Sequence, residues 1–157
     1  MTEQVNVDGQ SQDQFMEQVV ATIKAQAPKE PLDSEIAELT YNGALAELNA
    51  GRYDKARLMF TFLAGRAPLD PRFAEGLGIS FYRLGDHARA VASLGLASHL
   101  NPTSPVPVFY LAESMAAMGE TRAAKAMLLA VVALSGGEPR FAEIAHRAQA
   151  RAELLGG

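Results

Sequence analysis

The chain has 157 residues, enough for one domain with its own core, and its 48% hydrophobic and 20% charged residues match an ordinary globular protein. A net charge of −4, with seven acids against Lys24 and Lys29 over residues 1 to 35, leaves no concentrated basic surface, so no nucleic-acid partner is expected. Cysteine is absent, which excludes disulfides and thiolate chemistry. The head MTEQVNVDGQ has no basic stretch leading into an apolar core, and the run MLLAVVAL at 127 to 134 is too short to span a bilayer. A cytoplasmic protein without membrane insertion is expected.

Residues 1 to 10 are polar, lack an apolar period and read as a disordered head. Ser11 and Gln14 have the spacing of a capping box, which starts a helix running to about Ala27 with Phe15, Met16, Val19, Val20 and Ile23 on one face. Pro28 and Pro31 close it. The segment 11 to 34 is therefore an amphipathic helix and linker. It is either a cap on the helices beyond Ser34 or a dimer contact.

From Ser34 onward helix succeeds helix, with breaks at Gly51, Pro68, Gly85, Pro102, Gly119 and Gly136, and no stretch alternates as a strand would. The breaks are periodic. Gly51, Gly85 and Gly119 stand 34 residues apart, and this register also aligns Ala44, Gly78 and Ala112 before them and Ala56, Ala90 and Ala124 after them. Phe60, Leu94 and Leu128 come next, then Leu63, Ala97 and Val131, then Pro68, Pro102 and Gly136. This interval, with its order of small, Gly, small and large residues, resembles the tetratricopeptide repeat. The fold expected is all-α, a solenoid of three helical hairpins over 35–136. The pairs are 36–49 with 53–66, 71–84 with 87–100, and 105–118 with 121–135. A C-terminal capping helix falls within 137–157, with Phe141, Ile144, Ala148, Ala152 and Leu155 along one side.

Each column has a physical task. Glycine after a helix end takes the left-handed conformation that turns the chain between antiparallel helices. Small residues let the two helices approach closely, and the large residue fills the volume that remains. Proline after the second helix stops it. Hairpins of this kind cannot bury their apolar faces alone, so they stack and curve, with the first helix of each pair on the inner wall.

On those first helices the core columns take one side, and another set faces the groove: Tyr41, Leu45 and Leu48; Glu75, Ile79 and Tyr82; Phe109, Glu113 and Ala116. Six of the nine, all but Glu75, Glu113 and Ala116, are large and apolar, and such a line along a concave wall suggests a peptide site. The competing reading makes some of them core residues and folds a cap over others. A groove across three helices spaced by about 10 Å accommodates roughly six to nine extended residues. Glu75 and Glu113 are expected to meet backbone amides or basic side chains of a client. Arg52, Lys55, Arg57, Arg66, Arg83, Arg89 and Arg122 read as a solvated face.

Two strings narrow the family. DPRFAEGLGISFYRLGD (70 to 86) and SPVPVFYLAESMAAMGE (104 to 120) resemble the class II translocator chaperones of bacterial type III secretion, which carry D-x-R-F-x-x-G-L-G and P-x-P-x-F-x-x-A-E-C runs. The second string departs at Ser114, where the family often has cysteine, and at Val106 and Val108. The resemblance runs from about Glu35 to Leu134. It implies a cytosolic chaperone that holds an extended segment of secreted, hydrophobic translocator proteins in its groove before export, often as a homodimer formed through the N-terminal region. That use would fall to Phe15, Val19, Val20 and Ile23. Tyr41, Leu45 and Leu48 match groove positions that are commonly aromatic in the family, while Tyr53, Phe60 and Phe73 match aromatic positions that repeat geometry assigns to the core.

An enzyme fits poorly. His87, His99 and His146 show no ligand spacing, the glycines sit at turns rather than in a phosphate-binding loop, and neither a metal nor another cofactor is expected. A paired-carboxylate role for Glu75 and Glu113 can be stated, but acids on a helix surface usually meet solvent. The remaining rival is a different binding role, as a repeat adaptor or as a partner of a transcription activator.

Overall fold

The computed structural model describes residues 11–156; the head, residues 1 to 10, lies outside them. The described residues form eight α-helices and no strand: α1 (Gln12–Gln26), α2 (Ser34–Asn49), α3 (Tyr53–Arg66), α4 (Pro71–Arg83), α5 (His87–Leu100), α6 (Pro105–Ala117), α7 (Thr121–Ser135) and α8 (Ala142–Leu155), the last entered through a 3₁₀ turn at Pro139–Phe141. The starts of α1, α2, α4 and α5 arise from side-chain capping. Ser11 Oγ accepts from Gln14 N at 3.3 Å while Gln14 Oε1 accepts from Ser11 N at 3.2 Å. Asp33 and Asp70 likewise accept from first-turn amides of α2 and α4 at 3.0 Å.

The three hairpin turns share one geometry. Gly51, Gly85 and Gly119 have φ of 76°, 79° and 88°. In each turn the following amide reaches back across the glycine, Arg52 N to Glu47 O, Asp86 N to Phe81 O and Glu120 N to Met115 O, all at 2.9 Å. An L side chain would be strained at any of the three glycines.

Inside each hairpin the small columns are closed: Ala44, Ala56, Ala90, Ala112 and Ala124 are all fully buried. A Cβ on Gly78 would stand 2.5 Å from Leu94 Cγ, so at that crossing only glycine fits. Phe60, Leu94 and Leu128 fill the remaining volume with no exposure, and burying each stabilises by roughly 1.5–3 kcal/mol. Phe73 of α4 joins Phe60 in the first cluster, and Ala148 and Ala152 of α8 join Leu128 in the third. The core is therefore continuous from hairpin to hairpin.

Each helix from α2 on packs against the next, and α2 also meets α4, α4 meets α6 and α6 meets α8; α3, α5 and α7 make no comparable contact with one another. The stack thus bends toward the first helices, which line the inside. α8 continues the series as a seventh layer and seals the third hairpin. α1 behaves differently. None of its residues is buried and it packs substantially on no other helix, so it does not cap the first hairpin.

Candidate functional site: the inner wall

The inner wall is built by α2, α4 and α6, with α8 at its end. Tyr41, Leu45 and Leu48 on α2 are half-buried, resting on the first core cluster with one side open, and Ile79 and Tyr82 on α4 stand in the same way over the second. Tyr41 packs edge-on to Phe60 at 6.2 Å between ring centroids and tilts against Phe73 at 5.9 Å. Tyr82 packs against Tyr110 of α6 at 5.4 Å and His87 of α5 at 5.8 Å. These contacts hold the rings in place without covering them. Burial pushes both phenols up from their ordinary pKa, with Glu75 adding to the effect at Tyr41 and Glu113 at Tyr82. Each phenol therefore stays neutral at physiological pH, able both to donate and to accept a hydrogen bond.

The third hairpin departs from the sequence expectation at two positions. Phe109 is not a groove residue: it is 3% exposed, lies in the core with Ala112, Leu128 and Ala148, and has the Arg147 guanidinium stacked 4.8 Å above its ring. The cause is α8, which covers this stretch of α6. Glu113 does face inward, but Arg151 of α8 already holds it at 2.8 Å. Its charge is therefore paired within the chain. Ala116 is half-buried and offers little.

Glu75 has a different environment. It is half-buried on α4, and desolvation alone raises its pKa above the usual carboxylate range. Arg72, one turn earlier, would be its natural partner. That guanidinium is instead held by Asp70 at 2.8 Å and Glu38 at 3.0 Å, and it stacks over Tyr41 at 4.9 Å.

Arg83 is likewise more than a solvated charge: its guanidinium lies within 6.0 Å of the rings of Tyr53, Tyr82 and Tyr110. Phe60 and Phe73 are core, at 0% and 1% exposure, whereas Tyr53 is half-buried. The sequence reading missed Tyr110, Arg147 and Arg151. Tyr110 sits one residue beyond a groove column, and the two arginines lie on a helix outside the repeat register.

Phe15, Val19, Val20 and Ile23 share the open face of α1, with Phe15 49% exposed. Among the described residues no group of His, Cys, Asp and Glu could hold a metal ion, and no helix is long and apolar enough to cross a membrane.

Comparison with known proteins agrees with this architecture. A tetratricopeptide-repeat family model matches residues 41–105. The low calcium response locus protein H of Yersinia pseudotuberculosis is 26% identical over 124 residues, covering 79% of this chain and 74% of that protein. Among solved structures, the type III secretion translocator chaperone SycD of Yersinia enterocolitica superposes with a TM-score of 0.75 at 26% identity, over 79% of this chain and 86% of SycD. PcrH from Pseudomonas aeruginosa does so with a TM-score of 0.75 at 25% identity, over 82% of this chain and 97% of PcrH. SycD has been solved with a peptide of the translocator YopD, and PcrH with the chaperone-binding region of PopD. With three stacked hairpins and an inner wall of half-open aromatic and aliphatic side chains, the chain is similar in sequence and fold to the tetratricopeptide-repeat translocator chaperones of type III secretion.

Proposed function

We propose that the chain is a cytoplasmic, non-enzymatic chaperone that holds an extended segment of a hydrophobic translocator against the inner wall formed by Tyr41, Leu45, Leu48, Ile79 and Tyr82, keeping the client soluble before export. The observation that carries this is the line of half-buried apolar side chains running across α2 and α4, in a chain similar to chaperones solved with translocator peptides. Five such side chains, each losing about 80 Å² of apolar area, gain roughly 10 kcal/mol gross at about 25 cal/mol/Å². Ordering a flexible peptide consumes much of that, so a micromolar affinity is expected. Replacing Leu45 and Tyr82 together with Asp removes binding of a translocator co-expressed with this chain, while circular dichroism still reports a folded helical protein. Unchanged capture of the translocator by the double variant contradicts the assignment.

The open face of α1, carrying Phe15, Val19, Val20 and Ile23, serves a homodimer. It is apolar and packs substantially on no other described helix, and the first hairpin leaves Ile36 and Leu39 52% and 66% exposed. Deleting residues 1–27 is expected to halve the mass measured by light scattering; an unchanged mass excludes α1 from the contact.

A further inference from the structure

Among the described residues the Glu75 side chain has neither a hydrogen bond nor a salt-bridge partner, unlike Glu38 and Glu113. Desolvation raises the pKa of its carboxyl, and the Arg72 guanidinium bordering the same notch is paired with other carboxylates. The surroundings account for this. Glu75 borders a notch of about 40 Å³ together with Pro71, Arg72, Ala97, Asn101 and Pro107, at the seam of α4, α5 and α6. Pro71 and Pro107 carry no amide N–H, so two stretches of main chain that could donate to the carboxylate do not. Each nitrogen of the Arg72 guanidinium donates elsewhere, Nε and Nη2 to Asp70 at 3.1 Å and 2.8 Å and Nη1 to Glu38 at 3.0 Å. Asn101 accepts from the Thr103 hydroxyl at 3.2 Å through its side-chain oxygen, and its amide NH2 makes no hydrogen bond to Glu75. A half-buried carboxylate that receives no donor from its own chain depends on water for its hydrogen bonds and is partly desolvated at some cost.

Resting on the proposed groove function, we propose that Glu75 sets the selectivity of the groove: the segment bound there places a lysine side chain opposite this carboxylate. An arriving ammonium group supplies the hydrogen bonds the surroundings withhold, in a site partly shielded from water where a charge-assisted bond is stronger than at the surface. The notch is large enough for a compact ammonium head, since about 10–15 Å³ of such volume already holds a water molecule. Other inner-wall charges are unsuited to the task. Glu113 is taken by Arg151, and Glu38 by Arg72. Apolar contacts with Leu45, Ile79 and Tyr82 then give the segment its hold, and Glu75 decides which register and which sequence can take it.

The test uses ten-residue synthetic peptides of proline, leucine and valine with a single lysine moved through every position, each paired with a twin carrying norleucine at that place, titrated by fluorescence anisotropy. The full chain is expected to bind one lysine register about tenfold more tightly than its norleucine twin. In Glu75→Gln that advantage disappears, while the norleucine twins bind at least as tightly as they do to the unaltered chain, because no carboxylate is left to desolvate. Glu75→Met, of similar length, is the second variant should the amide perturb folding, and it is expected to behave alike. Equal affinities of lysine and norleucine peptides for the unaltered chain overturn the proposal, as does a lysine advantage that survives both substitutions. If no peptide of either kind binds, the groove reading itself falls and this inference with it.

Discussion

Tyr41 and Phe109 occupy the same place in the first and third hairpins, two repeat lengths apart, yet their surroundings differ. Tyr41 keeps one side of its ring open over Phe60 and Phe73, whereas Phe109 is enclosed beneath Arg147 and Ala148 of α8. Leu45 and Glu113 repeat the contrast: the leucine is half-open, and the glutamate is paired across to Arg151. A repeat column thus specifies where a side chain points and leaves open what it meets there. The first hairpin is succeeded by another hairpin that leaves the groove open. The third is succeeded by a single helix that closes it, so the usable wall spans α2 and α4 and stops partway along α6.

The strongest probe of this contrast is truncation on either side of it. Phe109→Ala is expected to destabilise the protein by about 3–5 kcal/mol in urea unfolding, as for a buried aromatic residue, and Leu45→Ala by well under half as much, because its site is already partly hydrated. Equal losses would mean that the two walls are covered alike.

A smaller effect is expected at Ser114, beside the covered stretch. Ser80 and Ser135, also buried, donate to the carbonyls of Gly76 and Val131 at 2.8 Å and 2.7 Å, but the Ser114 hydroxyl is fully buried with no hydrogen-bond partner among the described residues. Ser114→Ala should therefore raise stability by about 1 kcal/mol, read as an increase of a few degrees in the melting temperature. A lower melting temperature would show that the hydroxyl is satisfied in solution.

Least is expected from Arg151→Gln. The Arg151 side chain is 38% exposed and that of Glu113 16%, so solvent screens the pair from the arginine side and it contributes about 0–1 kcal/mol. A loss beyond about 2 kcal/mol would mean that α8 is held by this pair more than by Ala148 and Ala152.

Much of the architecture was legible in the chain. Three glycines at one interval require three left-handed turns, since no other residue adopts that conformation without strain. The small columns must then lie where helices cross, because larger side chains would hold the helices apart, as the Gly78–Leu94 approach demonstrates. The half-open wall at Tyr41, Leu45, Leu48, Ile79 and Tyr82 came from the same register. Phe109 was misread because its column neighbours Tyr41 and Glu75 stay half-open, and repetition carries no information about the element that ends the array. Arg147 and Arg151 have no repeat counterparts, so nothing in the period announced them.

The isolated charge on Glu75 belongs to the same class. A sequence shows an acid three residues after Arg72 on a helix and suggests that the two pair. Only the folded chain brings Glu38 from α2 alongside Asp70, so that two other carboxylates claim the guanidinium first. Local order, the positions of turns, caps and helix crossings, was determined by the sequence alone because it depends on residues a few places apart and on steric limits of the backbone. The end of the groove, the enclosure of Phe109 and the partnering of each charge were decided by tertiary structure, because they depend on which distant helices share a surface, and packing is what brings those helices together.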